Sequence, residues 1–236
     1  MAILELKDCT MRFGGLTAVA GFHMRMEPGE LVGLIGPNGA GKTTVFNIVT
    51  GVYEPTSGEI HFDGKRIDGL KPHEVARLGV ARTFQNIRLF KGLTIEDNVR
   101  AAFNFTAGYG LLGAVWAGAH WARREEHIGR HVHELLGLFG LAERKTLMAK
   151  NLPYGDQRRL EIARALAMGP RLLLLDEPAA GMNPSEKQKL MELIKWIHDQ
   201  FNLTILLIEH DMTVIMGICE RVLVMDYGEI IAEGTP

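Results

Sequence analysis

The sequence is poor in several features that would each point to a particular class of protein. Only two of its 236 residues are cysteine, Cys9 and Cys219, so neither a disulfide framework nor a zinc site with closely spaced ligands is expected. The net charge is −2, from 26 Lys and Arg against 28 Asp and Glu, which leaves no basic excess to attract nucleic acid. We therefore expect a protein of a reducing compartment that binds no nucleic acid, with both cysteines packed in a core.

Neither a secretory leader nor a membrane span is expected from the sequence. It begins MAILELKD, with acidic residues where a signal peptide has a basic region. Residues 101–122 contain no Lys, Arg, Asp or Glu, and a helix of that length could cross a bilayer. Its strongly apolar side chains favour insertion by only roughly −2 to −3 kcal/mol, and its glycines and polar residues oppose it. We interpret this segment as a packed or surface-docked helical element.

What the sequence does contain is typical of a folded α/β domain. Hydrophobic residues make up 47% and charged residues 23%, which suffices for a full core. Short apolar runs alternate with longer stretches of helical period, a pattern that favours α/β architecture. The runs that predict strands are 31–36, 80–84, 172–175, 204–208 and 222–225. Near the N-terminus, residues 3–6 and 22–26 alternate apolar and polar, which suits a half-exposed antiparallel sheet.

Residues from about 86 to 168 differ from their flanks, because they carry helical patterns and few strand runs. Thr94 opens the sequence TIED, which resembles a capping box at a helix start.

A second helix start lies beyond this segment, where Asn183 followed by Pro184 combines an N-cap with proline at the first helical position. The helix after Pro184 is predicted to place five apolar side chains on one face: Leu190, Leu193, Ile194, Ile197 and Phe201.

A glycine-rich segment between a predicted strand and a predicted helix carries the first chemical signal. Residues 36–43 read GPNGAGKT, which fits G-x-x-x-x-G-K-[ST]. Glycines let the backbone wrap around phosphates with its N–H groups inward, and the positive end of the following helix faces the same anion. Lys42 is predicted to reach the β- and γ-phosphates, and the Thr43 hydroxyl to bind Mg²⁺. The predicted nucleotide contacts here are Gly36, Pro37, Asn38, Gly39, Ala40, Gly41, Lys42, Thr43 and Thr44.

Two further apolar runs end in polar side chains at what should be the same sheet edge. The leucines at 172–175 are followed by Asp176 and Glu177, and the run at 204–208 leads to His210. Open α/β sheets bind ligands outside the carboxyl ends of their strands. We therefore predict Asp176 as a Mg²⁺ ligand, Glu177 as the base for an attacking water, and His210 as a contact to the γ-phosphate.

These elements, in this order and over essentially the whole chain, resemble the ATP-binding cassette family, the nucleotide-binding subunits of ABC transporters. The resemblance implies an α/β fold of the P-loop NTPase kind, a single ABC ATP-binding domain over residues 1–236. It implies a RecA-like α/β core (about 1–85 and 169–236), an N-terminal antiparallel β subdomain, and an inserted helical subdomain (about 86–168). It also implies ATP and Mg²⁺ as cofactors and ATP hydrolysis as the activity.

The resemblance assigns roles to further residues by position. Phe13 matches the aromatic residue that stacks on adenine, since phenylalanine keeps the stacking face. Gln85 matches the glutamine that contacts Mg²⁺ and the attacking water, and that links the core to the helical insertion. Together with Glu177, His210 and Lys42, it completes the implied catalytic set. Asn183 stands where the family usually has an aspartate beside the partner cassette.

The family signature Leu-Ser-Gly-Gly-Gln is replaced here by Leu-Pro-Tyr-Gly-Asp, residues 152–156. By the resemblance, Pro153, Tyr154, Gly155, Asp156 and Asn183 contact the nucleotide of a second cassette. The signature serine is missing, so its hydroxyl contact is in question. The Gly155 N–H and the following helix N-terminus could still hold the anion, while Tyr154 either supplies a hydroxyl or only packs.

This signature variant is similar to that of the ATPases of branched-chain amino acid importers. RTFQNIRLF at 82–90, the long insertion at 101–133 and PAAG at 178–181 agree with that subfamily. The resemblance implies an importer in which two ATPase subunits, alike or different, serve two transmembrane permease subunits and, indirectly, a substrate-binding protein. It implies a peripheral location on the cytoplasmic face of the inner membrane. The alternatives are a urea-type importer, a lipopolysaccharide-export ATPase, a soluble ABC ATPase of repair or translation, and a regulatory cassette without turnover.

Overall fold

A computed structural model of the chain describes residues 1–107 and 119–236. It has two units: unit 1 comprises residues 1–85 and 171–236, and unit 2 comprises residues 86–170. No helix in the described parts of the chain is long and apolar enough to cross a membrane. The helical element predicted at 101–122 is only partly covered, because residues 108–118 lie outside the described residues.

Unit 1 contains all the described strands, which form a four-stranded and a six-stranded sheet. The strands are β1 (Leu4–Phe13), β2 (Leu16–Met26), β3 (Leu31–Ile35), β4 (Ser57–Phe62), β5 (Lys65–Arg66), β6 (Val80–Arg82), β7 (Leu172–Asp176), β8 (Thr204–Ile208), β9 (Arg221–Asp226) and β10 (Glu229–Gly234). Its helices are α1 (Lys42–Val49), α2 (Pro72–Arg77), α6 (Pro184–Phe201) and α7 (Met212–Ile218). Unit 2 contains α3 (Ile95–Ala107), α4 (Ala119–Leu138) and α5 (Tyr154–Leu166).

The six-stranded sheet has the order β10-β9-β3-β8-β7-β6. All its neighbouring strands are parallel except β10, which pairs antiparallel with β9. Every residue of β7 and β8 is buried, which explains why both appear in the sequence as unbroken apolar runs. The predicted core strands are confirmed, although β6 ends at Arg82 and not at residue 84.

The four-stranded sheet has the order β2-β1-β4-β5 and is antiparallel throughout. Strands β1 and β2 are much longer than the predicted segments 3–6 and 22–26. The parts outside those segments are partly exposed and carry register shifts, so the alternation of apolar and polar residues does not mark them in the sequence. One hydrophobic core contains buried residues of both sheets and of α1, among them Phe22, Phe46 and Leu174. Both cysteines are buried as predicted, and burial raises the pKa of Cys9 to about 11 and that of Cys219 to about 12.

The predicted helix starts are found where their capping residues place them. At α6 the Glu186 N–H donates to Asn183 Oδ1 (3.0 Å) and the Asn183 N–H donates to Glu186 Oε2 (3.0 Å). At α3 the Asp97 N–H donates to Thr94 Oγ1 (3.0 Å), and α3 continues to Ala107. On the predicted apolar face of α6, Leu190, Ile194 and Ile197 are buried. Phe201, at the end of that face, is 48% exposed and packs edge-on against Trp196 at 6.0 Å.

Unit 2 is helical in its described residues, with α3 in contact with both α4 and α5. Its core includes Val99, Val132 and Leu160, which are fully buried. An ion pair lies inside this unit: Arg158 Nη1 donates to Glu161 Oε2 at 2.6 Å, and both side chains are buried. The remaining Glu161 oxygen accepts the Arg88 N–H at 3.0 Å. This pair therefore ties the segment before α3 to α5.

Candidate active site

The site lies where four parallel strands of unit 1 end. In register, Leu31 of β3 faces Ile205 of β8, and Leu172 of β7 faces Thr204, so the loops after these strands, and after β6, meet at one edge. A cavity of about 520 Å³ opens there. It is lined by Phe13, Leu16, Ala18, Asn38, Gly39, Gly41, Lys42, Thr43, Thr44, Gln85, Glu177 and His210. Ten of these twelve residues are predicted site residues; Leu16 and Ala18, on β2, carry no motif.

The loop between β3 and α1 takes a shape that requires glycine. Gly36, Gly39 and Gly41 have φ angles of 151°, 82° and 106°, a region that L side chains rarely adopt. A Cβ atom at Gly36 would also collide with the Met225 carbonyl oxygen, and one at Gly41 with that of Ala18. The loop therefore packs tightly on the neighbouring strands and leads directly into α1, whose N-terminus faces the cavity through Lys42 and Thr43.

Lys42 lies across this loop. Its ammonium donates to the carbonyl oxygens of Gly36 (2.7 Å) and Pro37 (2.8 Å), and the residue is only 6% exposed. Burial lowers the pKa of Lys42, while the nearby carboxylates of Glu177 and Asp176 oppose that shift. The arrangement places one cation of the glycine-rich loop close to two acids.

Two predicted catalytic side chains, those of Gln85 and His210, meet on the carboxylate of a third, Glu177. Glu177 Oε1 lies 2.7 Å from His210 Nε2, and Glu177 Oε2 accepts a hydrogen bond from Gln85 Nε2 at 2.7 Å. The three residues follow β7, β8 and β6 respectively. Glu177 has a φ of 45°, and its N–H donates to the Ile208 carbonyl at 2.9 Å. The left-handed backbone at Glu177 thus turns the chain sharply where β7 ends and its carboxylate reaches the cavity.

Asp176 is buried behind this group, and Arg82 is its partner. Arg82 Nη2 donates to Asp176 Oδ2 at 2.8 Å, and Arg82 Nη1 donates to Asn47 Oδ1 at 2.7 Å. The guanidinium lies 5.3 Å from the ring centroid of Phe46 and 5.0 Å from that of Phe84. Arg82 therefore connects α1, β6 and the end of β7. Sequence reasoning assigned it no role, because its partner is 94 residues away.

The predicted magnesium ligands offer a suitable set of donor atoms. Thr43 and Gln85 line the cavity, and Asp176 is adjacent in the chain to Glu177, which also lines it. Within residues 1–107 and 119–236, no group of three or more His, Cys, Asp or Glu side chains could hold a metal. Mg²⁺ prefers oxygen ligands and is commonly held by one or two carboxylates together with substrate phosphates. A hydroxyl, an amide oxygen and one carboxylate fit that chemistry.

Phe13 ends β1 and is 42% exposed, with its ring edge-to-face against Tyr53 at 5.2 Å. Phe13 is among the residues that line the cavity, and its predicted contact with an adenine ring stays a prediction. Asn183 is engaged in capping α6, so its side-chain oxygen already accepts the Glu186 N–H.

The signature residues lie in unit 2, at the start of α5. Pro153 is the N-cap residue, and Tyr154 is 45% exposed with its hydroxyl 3.5 Å from Arg158 Nη2. Asp156, in the first turn, pairs with Arg144 at 2.9 Å and with Arg159 at 3.8 Å. The negative charge that replaces the usual glutamine is therefore balanced by two arginines beside the helix N-terminus.

Comparison with known proteins gives concordant matches. Residues 19–180 match the family described as ABC transporter. The chain is 46% identical to the high-affinity branched-chain amino acid transport ATP-binding protein BraF of Pseudomonas aeruginosa, over 99% of this chain and 92% of that protein. It is 45% identical to LivG of Escherichia coli strain K12, which carries the same description, with the same coverage.

Solved structures of ATP-binding cassettes share the fold. The ADP conformation of MJ1267, an ATP-binding cassette of an ABC transporter, has a TM-score of 0.86 and 29% identity, covering 100% of this chain and 92% of that one. The dimeric post-hydrolysis state of the cassette MJ0796, bound to ADP and Pi, has a TM-score of 0.82 and 26% identity, covering 98% of both chains. The predicted fold class is confirmed by these similarities.

Proposed function

Because this chain belongs to the ABC transporter family of ATP-binding cassettes, we propose that it is the ATP-hydrolysing subunit of an importer for branched-chain amino acids. The observation that supports hydrolysis most strongly is the meeting of Gln85 and His210 on the Glu177 carboxylate, beside the glycine-rich loop. The cargo rests on kinship alone, since BraF and LivG are both described as branched-chain amino acid transport proteins.

The glycine-rich loop and the start of α1 supply the binding of ATP. Backbone N–H groups of residues 36–44 surround the phosphates, and the helix N-terminus adds its positive end. Lys42 already has its ammonium in the loop, where it donates to two carbonyl oxygens, and its remaining N–H is donated to a phosphate oxygen. Phe13, exposed at the end of β1, stacks on the adenine ring.

Thr43, Gln85 and Asp176 are the residues that would hold Mg²⁺. When bound, the ion neutralises negative charge on the transferred phosphoryl group. The protein itself orients these donors. Arg82, for example, donates a hydrogen bond to one Asp176 oxygen and so fixes that carboxylate.

Glu177 acts as the general base. The attacking water gives a proton to a Glu177 carboxylate oxygen, while the water oxygen forms the new bond to phosphorus and ADP leaves. Gln85 orients that water, and His210 donates a hydrogen bond toward the γ-phosphate. Their contacts of 2.7 Å to the two Glu177 oxygens keep all three side chains within reach of one reacting group.

A second cassette completes the site. We infer that Pro153, Tyr154, Gly155 and Asp156 of one copy, with Asn183, contact the nucleotide held by the other, in a head-to-tail pair. The dimeric structures of MJ0796 support this assembly. Nucleotide binding then closes the pair and hydrolysis reopens it, as a ligand-driven population shift.

The pair of cassettes docks on two transmembrane permease subunits, which a substrate-binding protein supplies with cargo. This places the chain peripherally at the cytoplasmic face of the inner membrane. We treat residues 1–236 as one ATP-binding domain, with its core at about 1–85 and 169–236 and its helical subdomain at about 86–168. Gln85, at the end of the first core segment, is the point at which movement of the site passes into the helical subdomain.

The dimer and the base assignment are tested together by Glu177→Gln. This variant keeps the size of the side chain but cannot accept the proton, so it should bind ATP, fail to turn over and accumulate as a closed dimer. Size-exclusion chromatography with and without ATP measures the dimer. The wild-type chain in ADP is the matched control. A variant that stays monomeric in ATP, or that hydrolyses normally, contradicts the assignment.

The cargo is tested by purifying the chain with the membrane proteins that accompany it. We expect two permease subunits, and ATP-dependent uptake of leucine, isoleucine and valine by vesicles that contain the complex. The same vesicles carrying Glu177→Gln are the control. Uptake of urea, or export of lipopolysaccharide, in place of amino acid uptake would contradict the proposed cargo and leave the proposed ATPase intact.

A further inference from the structure

We propose that Glu209 is a positioning residue that holds the Glu177–His210 pair in its catalytic geometry, an inference that rests on the proposed ATP hydrolysis. Glu209 follows β8 directly and is only 3% exposed. It lies outside the set of cavity-lining residues, so it acts through the residues it holds and not on the nucleotide.

The Glu209 carboxylate bridges two loops. Its Oε1 accepts the backbone N–H of Ala179 at 2.7 Å, and its Oε2 accepts the backbone N–H of His210 at 3.2 Å. Ala179 is two residues beyond Glu177, and His210 is the other member of the pair. One buried side chain thus anchors the loop that carries the base and the loop that carries the histidine.

The backbone at Glu177 explains why such an anchor is needed. A non-glycine residue with a φ of 45° persists only where the surrounding structure over-determines it. The Glu177 N–H is fixed by the Ile208 carbonyl at 2.9 Å, which secures the chain before the turn. The Ala179–Glu209 hydrogen bond secures it after the turn. With the backbone fixed by these two hydrogen bonds, the Glu177 side chain is directed to His210.

A buried carboxylate at this place has no other evident use in the mechanism. Burial raises the pKa of Glu209, and the Glu177 charge raises it further, while hydrogen bonds from the Ala179, His210 and Asp211 backbones oppose the shift. A buried charge is costly unless hydrogen bonds satisfy it. The N–H groups that satisfy the Glu209 carboxylate all belong to the two catalytic loops. The hydrogen bonds of Glu209 therefore form only when these loops are in place, and they hold the loops there.

Removal of the carboxylate should slow turnover and spare nucleotide binding. Glu209→Ala deletes both acceptors, so kcat should fall by an amount approaching the roughly 100-fold that a misplacement of about 1 Å costs at a reacting centre. ADP affinity and the KM for ATP should change less than about twofold, because the glycine-rich loop is held by other contacts. Glu209→Gln retains one oxygen acceptor for Ala179 and should recover part of the lost kcat.

The control is Glu30, a partly buried carboxylate that precedes β3 and so lies away from the catalytic loops. Glu30 accepts the Glu27 N–H at 2.8 Å and pairs with Arg221 at 2.8 Å, immediately before β3. Glu30→Gln should lower the melting temperature without a change in kcat. If Glu209 were merely structural, Glu209→Ala would likewise lower the melting temperature and leave kcat unchanged.

The experiment measures kcat and KM for ATP, ADP affinity, melting temperature and amide hydrogen exchange on the full chain. Lower kcat with unchanged ADP affinity, and faster exchange of the Ala179 and His210 amides in Glu209→Ala, support the proposal. A folded Glu209→Ala with kcat within twofold of the wild type overturns it. If that variant does not fold, Glu209→Gln decides on the same criteria. A wild-type chain without turnover contradicts the proposed ATPase itself, a result distinct from failure of Glu209 alone.

Discussion

Arg82→Met tests how the buried part of the site is held together. Methionine keeps an unbranched apolar chain between the rings of Phe46 and Phe84, but it removes the guanidinium. Asp176 then loses its 2.8 Å partner and Asn47 loses its 2.7 Å donor. The side chains of Arg82 and Asp176 are 7% and 4% exposed, so solvent screens their interaction little.

The expected loss follows from that burial. Removal of one member of a buried ion pair costs about 3–5 kcal/mol, because the other charge is left uncompensated. For a chain of about 150–250 residues, each kcal/mol lowers the melting temperature by about 2–4 °C. Arg82→Met should therefore melt roughly 6–20 °C below the wild type.

Thermal unfolding followed by circular dichroism measures this loss. Asp176→Asn in the Arg82→Met background removes the unpaired charge and should recover part of the stability. Lys7, whose ion pair with Glu5 is exposed on β1, provides the control, since Lys7→Met should cost at most about 1 kcal/mol. A loss for Arg82→Met as small as that of the control would refute the reasoning, and so would further destabilisation by the second substitution.

Two more predictions concern the nucleotide contacts. Gly36→Ala should abolish ATP binding in isothermal titration calorimetry and lower the melting temperature, because its methyl group collides with the Met225 carbonyl, whereas Gly15→Ala, which meets no atom, should bind normally. Tyr154→Phe should reduce ATP turnover of the assembled dimer if the hydroxyl serves the partner's nucleotide, and Tyr154→Ala should reduce it at least as much. Turnover equal to the wild type in both Tyr154 variants would show that this side chain only packs.

The parts of the fold that follow from local chemistry could be predicted well. Strands β7 and β8 are buried on both faces, so their apolar runs mark their ends to within one residue. The reciprocal bonds of Asn183 and Glu186 mark the start of α6. The distal half of β1 was not predictable, because register shifts there interrupt the alternation of apolar and polar side chains. The exposure of Phe201 was not predictable, because helical periodicity shows which side chains share a face but not where a helix leaves the core.

The residues of the candidate site were also predictable only in part. Its glycine-rich loop, its two acids and its histidine each stand in a short motif. The structure brings the loop, Glu177 and His210 to one cavity, while Asp176 is buried beside it in the chain and pairs with Arg82. Arg82 and Glu209 were missed, since their partners lie 94 and 30 residues away along the chain. No single-sequence pattern marks a pairing over that distance. Residues that hold the site in shape are therefore harder to find than those that line it.

Phosphate release under saturating ATP and Mg²⁺ tests most directly that Glu177 is the base of an ATPase. The wild-type chain should release phosphate continuously. Glu177→Gln should bind ATP with similar affinity and release phosphate at least about 100-fold more slowly, since a positioned general base contributes about 10²–10⁴ in rate. Phosphate release by Glu177→Gln at the wild-type rate, or no release by the wild type in its assembled complex, would contradict the account.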